Sequence, residues 1–179
     1  TAIENAFAGD GTDHIVGNAL FNALYGMRGN DSIEGGAGSD TLVGGSGNDT
    51  LRGGSEVDRF EFAASGNGLD LITDWAVGDY VVVDGAVFTT PITDGDGSTT
   101  GLNAVQVSRA GGQTTLHIGT DSVAGADVEI TLTGTWATDS FVALGNEITS
   151  AGSPPPRPAR TPPAPAAAAP AAPRGVTPA

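Results

Sequence analysis

The chain has 179 residues, no cysteine and no lysine, so disulfides and thiolate metal sites are out of reach. All 21 of its acidic residues lie before residue 150, against four arginines in the same stretch, and ten of the 11 prolines lie after it. Such a body repels nucleic acid and anionic membrane surfaces, which demand basic contacts, and attracts cations.

The first predicted element is a repeat over residues 8–61. It reads in nines as AGDGTDHIV, GNALFNALY, GMRGNDSIE, GGAGSDTLV, GGSGNDTLR and GGSEVDRFE. The sixth place holds Asp13, Asn22, Asp31, Asp40, Asp49 and Asp58, and the eighth holds Ile15, Leu24, Ile33, Leu42, Leu51 and Phe60. No residue is inserted or lost across the six units. A flexible Gly/Asp/Asn linker needs neither an apolar residue at every eighth place nor an acid or amide at every sixth. The pattern is G-G-x-G-x-D-x-U-x. Its glycines permit a tight turn that points carbonyls at one spot, and its apolar residue points inward from a short strand. Two units complete a coil, so residues 18 apart stack: Asp13, Asp31 and Asp49 in one column, Asn22, Asp40 and Asp58 in the other.

The stacking predicts an ion. Neighbouring strands lie about 4.8 Å apart and calcium–oxygen bonds measure about 2.3–2.6 Å, so an ion midway between two loops reaches oxygens of both. Magnesium wants bonds near 2.0–2.1 Å and keeps its waters. Zinc wants nitrogen or sulfur, and the repeat offers only His14. Several Ca2+ ions are therefore the expected cofactor, with the stretch disordered in their absence, because metal binding and folding share one free energy.

Beyond residue 80 the chain reads as short strands, YVVVD, AVFTTPI, NAVQVS, QTTLHIG and VEITLTG, separated by the turn-rich DGDGSTTG and RAGG. An antiparallel sheet or sandwich is expected, capping the open end of the roll. Trp75, Trp136 and Phe141 are assigned to the cap core. DGDGSTTG is no EF-hand loop, since Ser98, Thr99 and Val105 stand where that loop needs an acid, glycine and glutamate. His14 and His117 are read as outward-facing strand residues, with no H-E-x-x-H between them. Residues 153–179, almost wholly Pro and Ala, predict an extended, disordered tail or linker. No apolar run approaches the roughly 20 residues of a membrane span, so no membrane insertion is expected.

The opening TAIENAFAGDGTDHIVGN with its repeats, then DRFEF (58–62) and LDLITDWAVGD (69–79), resembles the C-terminal domain of serralysin-type secreted metalloproteases. The nonapeptides alone are shared with RTX toxins, lipases, epimerases and surface-layer proteins. The lead-in and the exit segment favour the protease family. The resemblance implies a right-handed parallel β-roll, a calcium between each pair of successive loops on one side, and export unfolded through a type I secretion apparatus. It also implies a ligand set of carbonyls and carboxylates. These are Gly9, Gly11 and Asp13, then Gly26, Arg28, Gly29 and Asp31, then Gly35, Gly36, Gly38 and Asp40. Gly44, Gly45, Gly47 and Asp49 follow, then Gly53, Gly54 and Asp58, with Asp70 a further acid in the exit segment. Asn22 belongs to the set as a weaker or differently built member, with Leu20 where glycine is the rule, and Glu56 breaks the sixth unit in the same way.

Three segments are thus expected: an all-β roll over 1–62, a β-rich cap over 63–152 and the tail over 153–179. The expected function is a secreted, extracellular, non-catalytic calcium domain that folds after export and stabilises an upstream domain of the same polypeptide. Alternatives are a module of a surface-layer or adhesive protein, or of an alginate-epimerase-like enzyme.

Overall fold

A computed structural model describes residues 4–88, 91–98, 100–121 and 125–150. The expected Pro/Ala tail lies outside them. The repeat folds as a parallel β-solenoid of about four turns. Strands β1 (Asn5–Asp10), β2 (His14–Val16), β3 (Ala23–Arg28), β4 (Ser32–Ala37), β5 (Thr41–Ser46), β6 (Thr50–Ser55) and β7 (Arg59–Phe62) alternate between two sheets. β1 pairs with β3 in register Asn5↔Ala23, and β2 with β4 in register His14↔Ser32, the 18-residue offset that two nonapeptides dictate.

The parallel stacking continues past the last nonapeptide with a changed step. β8 (Leu69–Ile72) joins β6 with Leu51 opposite Ile72, and β9 (Tyr80–Val83) joins β7 with Phe60 opposite Val81. The offset there is 21 residues, because the exit segment carries three extra residues per coil.

Both sheets then run without a break into the C-terminal half. β10 (Thr93–Asp94), β11 (Val105–Ala110), β12 (Gln113–Ile118) and β13 (Val128–Thr133) extend one sheet, with β13 lying parallel to β8. β14 (Phe141–Leu144) and β15 (Glu147–Ser150) extend the other, with β15 antiparallel to β9. Four of the five expected strands appear as β9, β11, β12 and β13. In the fifth, AVFTTPI, Phe88 makes a single bridge to Gly145, and Thr89 and Thr90 lie outside the described residues.

Two apolar ladders fill the space between the sheets. Ile15, Ile33, Leu51, Ile72 and Leu132 form one, and Leu24, Leu42, Phe60, Val81 and Ile148 form the other. All but Ile15 are buried, and burial of each such side chain contributes about 1.5–3 kcal/mol. Trp75 and Phe141 are buried and Trp136 is half-buried, with ring centroids 6.5 Å apart in each pair that Phe141 makes. Roll and cap therefore share one core.

Candidate metal centre

Each turn places its sixth residue at the mouth of the sheet, where the carboxylate reaches back one coil. Oδ1 of Asp31 accepts the backbone N–H of Asp13, Oδ1 of Asp49 that of Asp31, and Oδ1 of Asp70 that of Asp49, at 2.8–2.9 Å. In the second column Oδ1 of Asp40, Asp58 and Asp79 accept the N–H groups of Asn22, Asp40 and Asp58 at 2.7–2.9 Å. The columns expected from the spacing are present, each extended by one acid of the exit segment.

The second oxygen of these carboxylates decides the chemistry. Oδ2 of Asp31, Asp40, Asp49 and Asp70 is buried and has no hydrogen-bond partner. A buried charged oxygen without a donor is costly and calls for a cation. Those of Asp31, Asp40 and Asp49 sit over the first glycine of their own units. A methyl group on Gly26 would collide with Asp31 Oδ2 and the Gly44 carbonyl oxygen. One on Gly35 would collide with Asp40 Oδ2 and approach the Gly53 carbonyl oxygen. Gly44 and Gly53 stand in the same way against Oδ2 of Asp49 and Asp58. These are oxygen-lined cradles that a Cβ would fill, and hard oxygen donors suit calcium.

The remaining glycines bring successive coils close. Gly47, in the left-handed region at φ +128°, lies against the Gly29 carbonyl, Gly45 against that of Met27, and Gly54 against that of Gly36. Gly29 meets the Gly11 carbonyl, Gly36 that of Asn18, and Gly38 the backbone of Leu20. Gly9, in the first coil, meets nothing within 4 Å. The Arg28 carbonyl accepts the N–H of Gly11 at 2.8 Å, while its exposed guanidinium pairs with Asp10. Among the described residues no three His, Asp or Glu side chains converge as a metal site made of side chains alone. Each loop with an aspartate at the sixth place contributes that carboxylate, and backbone carbonyls are the other oxygens at hand.

The electrostatics of the columns are dominated by burial. Burial pushes the carboxyls of Asp40 and Asp70 up to about 7 and that of Asp58 up to about 8, with nearby carboxylates adding to the rise. Burial likewise raises Asp49, and it raises Asp79 to about 6.

Two residues depart from expectation. Asp79, absent from the ligand set read from sequence, closes the second column, and its Oδ2 also accepts the N–H of Ala76 at 2.9 Å. His117 follows the outer-face alternation of β12 and is nevertheless buried. Its Nε2 lies 2.7 Å from Ser108 Oγ, its Nδ1 lies 2.9 Å from Glu129 Oε1, and Gly97 covers the ring. His14 is exposed, as expected.

Residues 7–42, 16–51 and 25–60 each match the model of the RTX calcium-binding nonapeptide repeat, which spans four copies of the unit. No curated protein matches the chain. Among solved structures, the AlgE6R3 subunit of the Azotobacter vinelandii mannuronan C5-epimerase is similar at 27% identity and TM-score 0.54. The match covers 74% of this chain and 77% of that one. Extracellular lipase LipA of Serratia marcescens matches at 24% identity and TM-score 0.51, a likeness of fold alone. It covers 78% of this chain, which spans only 20% of the lipase. Fold and site together define a calcium-binding RTX β-roll, a non-catalytic structure. RTX nonapeptide repeats are present in this chain, in its first third.

Proposed function

We propose that this chain is the calcium-dependent folding and secretion domain of a larger extracellular protein, with a serralysin-type zinc metalloprotease as parent. The observation that carries the calcium reading is the run of buried, partnerless Oδ2 atoms over glycine cradles. Bound calcium would supply the positive charge that these carboxylates lack and would take their free oxygens as ligands. The chain's own part is to hold the carboxylates in register, through the N–H groups that fix each Oδ1, and to aim carbonyls beside them. Without the ion the stacked acids repel one another, which suits a chain that leaves the cell unfolded through a type I channel and folds in calcium-rich medium. In this reading residues 1–62, with Asp70 of the exit segment, hold the ions and 63–152 cap the roll.

The protease parent rests on the lead-in TAIENA and the exit LDLITDW. The likeness to an epimerase subunit favours a second reading, a module that contacts an anionic polysaccharide. Four arginines against 21 carboxylates in the body weigh against it.

Circular dichroism tests the first claim. Chelated protein should lose most strand signal, and millimolar calcium, but not magnesium, should restore it. A calcium-free protein with an unchanged strand spectrum would sink the proposal. The parent is tested by the coding sequence upstream of Thr1, where an H-E-x-x-H-x-x-G-x-x-H motif and a Met-turn are expected. Any other domain there removes the protease and leaves the calcium roll standing.

A further inference from the structure

Glycine is replaced at five places of the repeat, Ala8, Asn18, Leu20, Met27 and Glu56, and the structure treats the last three of these in two ways. Met27 takes a second place and Glu56 a fourth place, and both adopt the left-handed angles of the glycines they replace, φ 80° and 83°. Their loops keep the shape of the repeat. Leu20, also at a fourth place, does not enter the left-handed region that Gly29, Gly38 and Gly47 occupy. The loop of residues 17–25 therefore turns differently.

Its sixth residue differs in step. A methyl group on Gly17 would collide with Asn22 Oδ1 and the Gly35 carbonyl oxygen, as one on Gly26 would with Asp31 Oδ2 and the Gly44 carbonyl. Asn22 Oδ1 thus occupies the place that Oδ2 holds in the aspartate units. In the units of Asp31, Asp40 and Asp49 that oxygen has no partner. Here it accepts the backbone N–H of Asn18 at 2.7 Å. The Asn22 amide donates to the Phe21 carbonyl at 3.2 Å, and the Leu20 N–H donates to Asn18 Oδ1 at 2.8 Å. The amide carries no charge to draw a dication, and the loop supplies from its own atoms the donor that the other loops lack.

We infer that the coil of residues 17–25 closes on hydrogen bonds in place of an ion, so that its edge of the roll takes its first calcium at Asp40. Asn18 and Asn22 act together as a metal-free terminator, and the two edges carry unequal loads. The opposite edge keeps carboxylates at Asp13, Asp31, Asp49 and Asp70, while this one begins with a neutral residue. The inference rests on the calcium reading above.

Ion counts by native mass spectrometry at saturating calcium separate the two. Asn22→Ala should retain the wild-type number of ions, and Asp40→Asn should hold one fewer. Asn22→Asp combined with Leu20→Gly, which restores the repeat, should hold one more. The inference is overturned if Asn22→Ala loses an ion, or if the double variant gains none while Asp40→Asn still loses one. Should wild-type protein bind no calcium, both this inference and the calcium reading fall.

Discussion

The backbone N–H of Asp31 donates to Oδ1 of Asp49, 18 residues further along the chain, at 2.8 Å. Every sixth-place acid after the first coil repeats the arrangement, so each carboxylate fixes the loop of the coil before it. An interior aspartate therefore serves two coils. Asp31→Ala would remove the carboxylate from its own cradle and leave the part-buried N–H of Asp13 without its acceptor, a loss of about 1 kcal/mol for the latter alone. Asp13 has no earlier described coil to hold. We expect Asp31→Ala to raise the calcium concentration needed for folding more than Asp13→Ala does. Asp10→Ala should have little effect, since Asp10 makes only an exposed pair with Arg28. Calcium titrations followed by circular dichroism rank the three variants, and an Asp10 variant as damaged as the Asp31 variant would refute the register.

Protons should partly replace calcium. Asp40 and Asp70 titrate near 7 and Asp58 near 8 in the folded, calcium-free state, above the usual 3.8. The folded chain then holds protons that the unfolded chain has released. Their stabilisation is complete below the unfolded value and is lost as pH rises through the folded values. Calcium-free protein should accordingly show more strand signal at pH 5 than at pH 8, and the gain on adding calcium should grow across that interval. Equal calcium-free spectra at both pH values would contradict this.

Asp70 and Asp79 close the two columns by different means. Asp70 accepts the Asp49 N–H and keeps a partnerless buried Oδ2, whereas both oxygens of Asp79 accept backbone N–H groups. Asp70→Ala should shift the calcium midpoint strongly. Asp79→Ala should lower the melting temperature at every calcium concentration, by the equivalent of about 1–3 kcal/mol per stranded N–H. Thermal melts across a calcium series distinguish the two patterns.

Glu56 holds a left-handed backbone at φ 83°, and its charge adds to the raised Asp40 value. Glu56→Gly should stabilise the calcium-loaded protein by about 1 kcal/mol through relieved backbone strain. Differential scanning calorimetry reads the gain directly, and a lowered melting temperature would count against the strain.

The roll was legible because each place in the nonapeptide does one physical job at a fixed spacing. The eighth residues, Leu24 to Phe60, could only face inward, and the sixth, Asp31 to Asp58, could only stack. Legibility faltered where the spacing changed. Asp79 escaped notice because the nine-residue count stops before it, although it follows Asp58 by the same 21 residues that separate Asp49 from Asp70. His117 was misread for another reason. Alternation along QTTLHI places it on the outer face, where Ser108, Glu129 and the Gly97 backbone close over its ring. Local pattern carries no record of such a contact. The antiparallel pairing of β15 with β9 and the parallel pairing of β13 with β8 are likewise long-range choices.

The constant offset between neighbouring strands also governs how the domain would answer to force. A pull on the N-terminal end acts on β1, whose only described neighbour in the sheet is β3, 18 residues later. Tension then strips one coil at a time, as a zip opens tooth by tooth, and each coil pays out about 60 Å of extended chain. The steps should be short and evenly spaced along the repeat. They should give way to one larger rupture where β8 and β9 enter sheets closed by β13 and β15. A chain threaded through a narrow channel and drawn out at its far side would meet the same staircase in reverse, gaining a fixed length of purchase with every coil that locks.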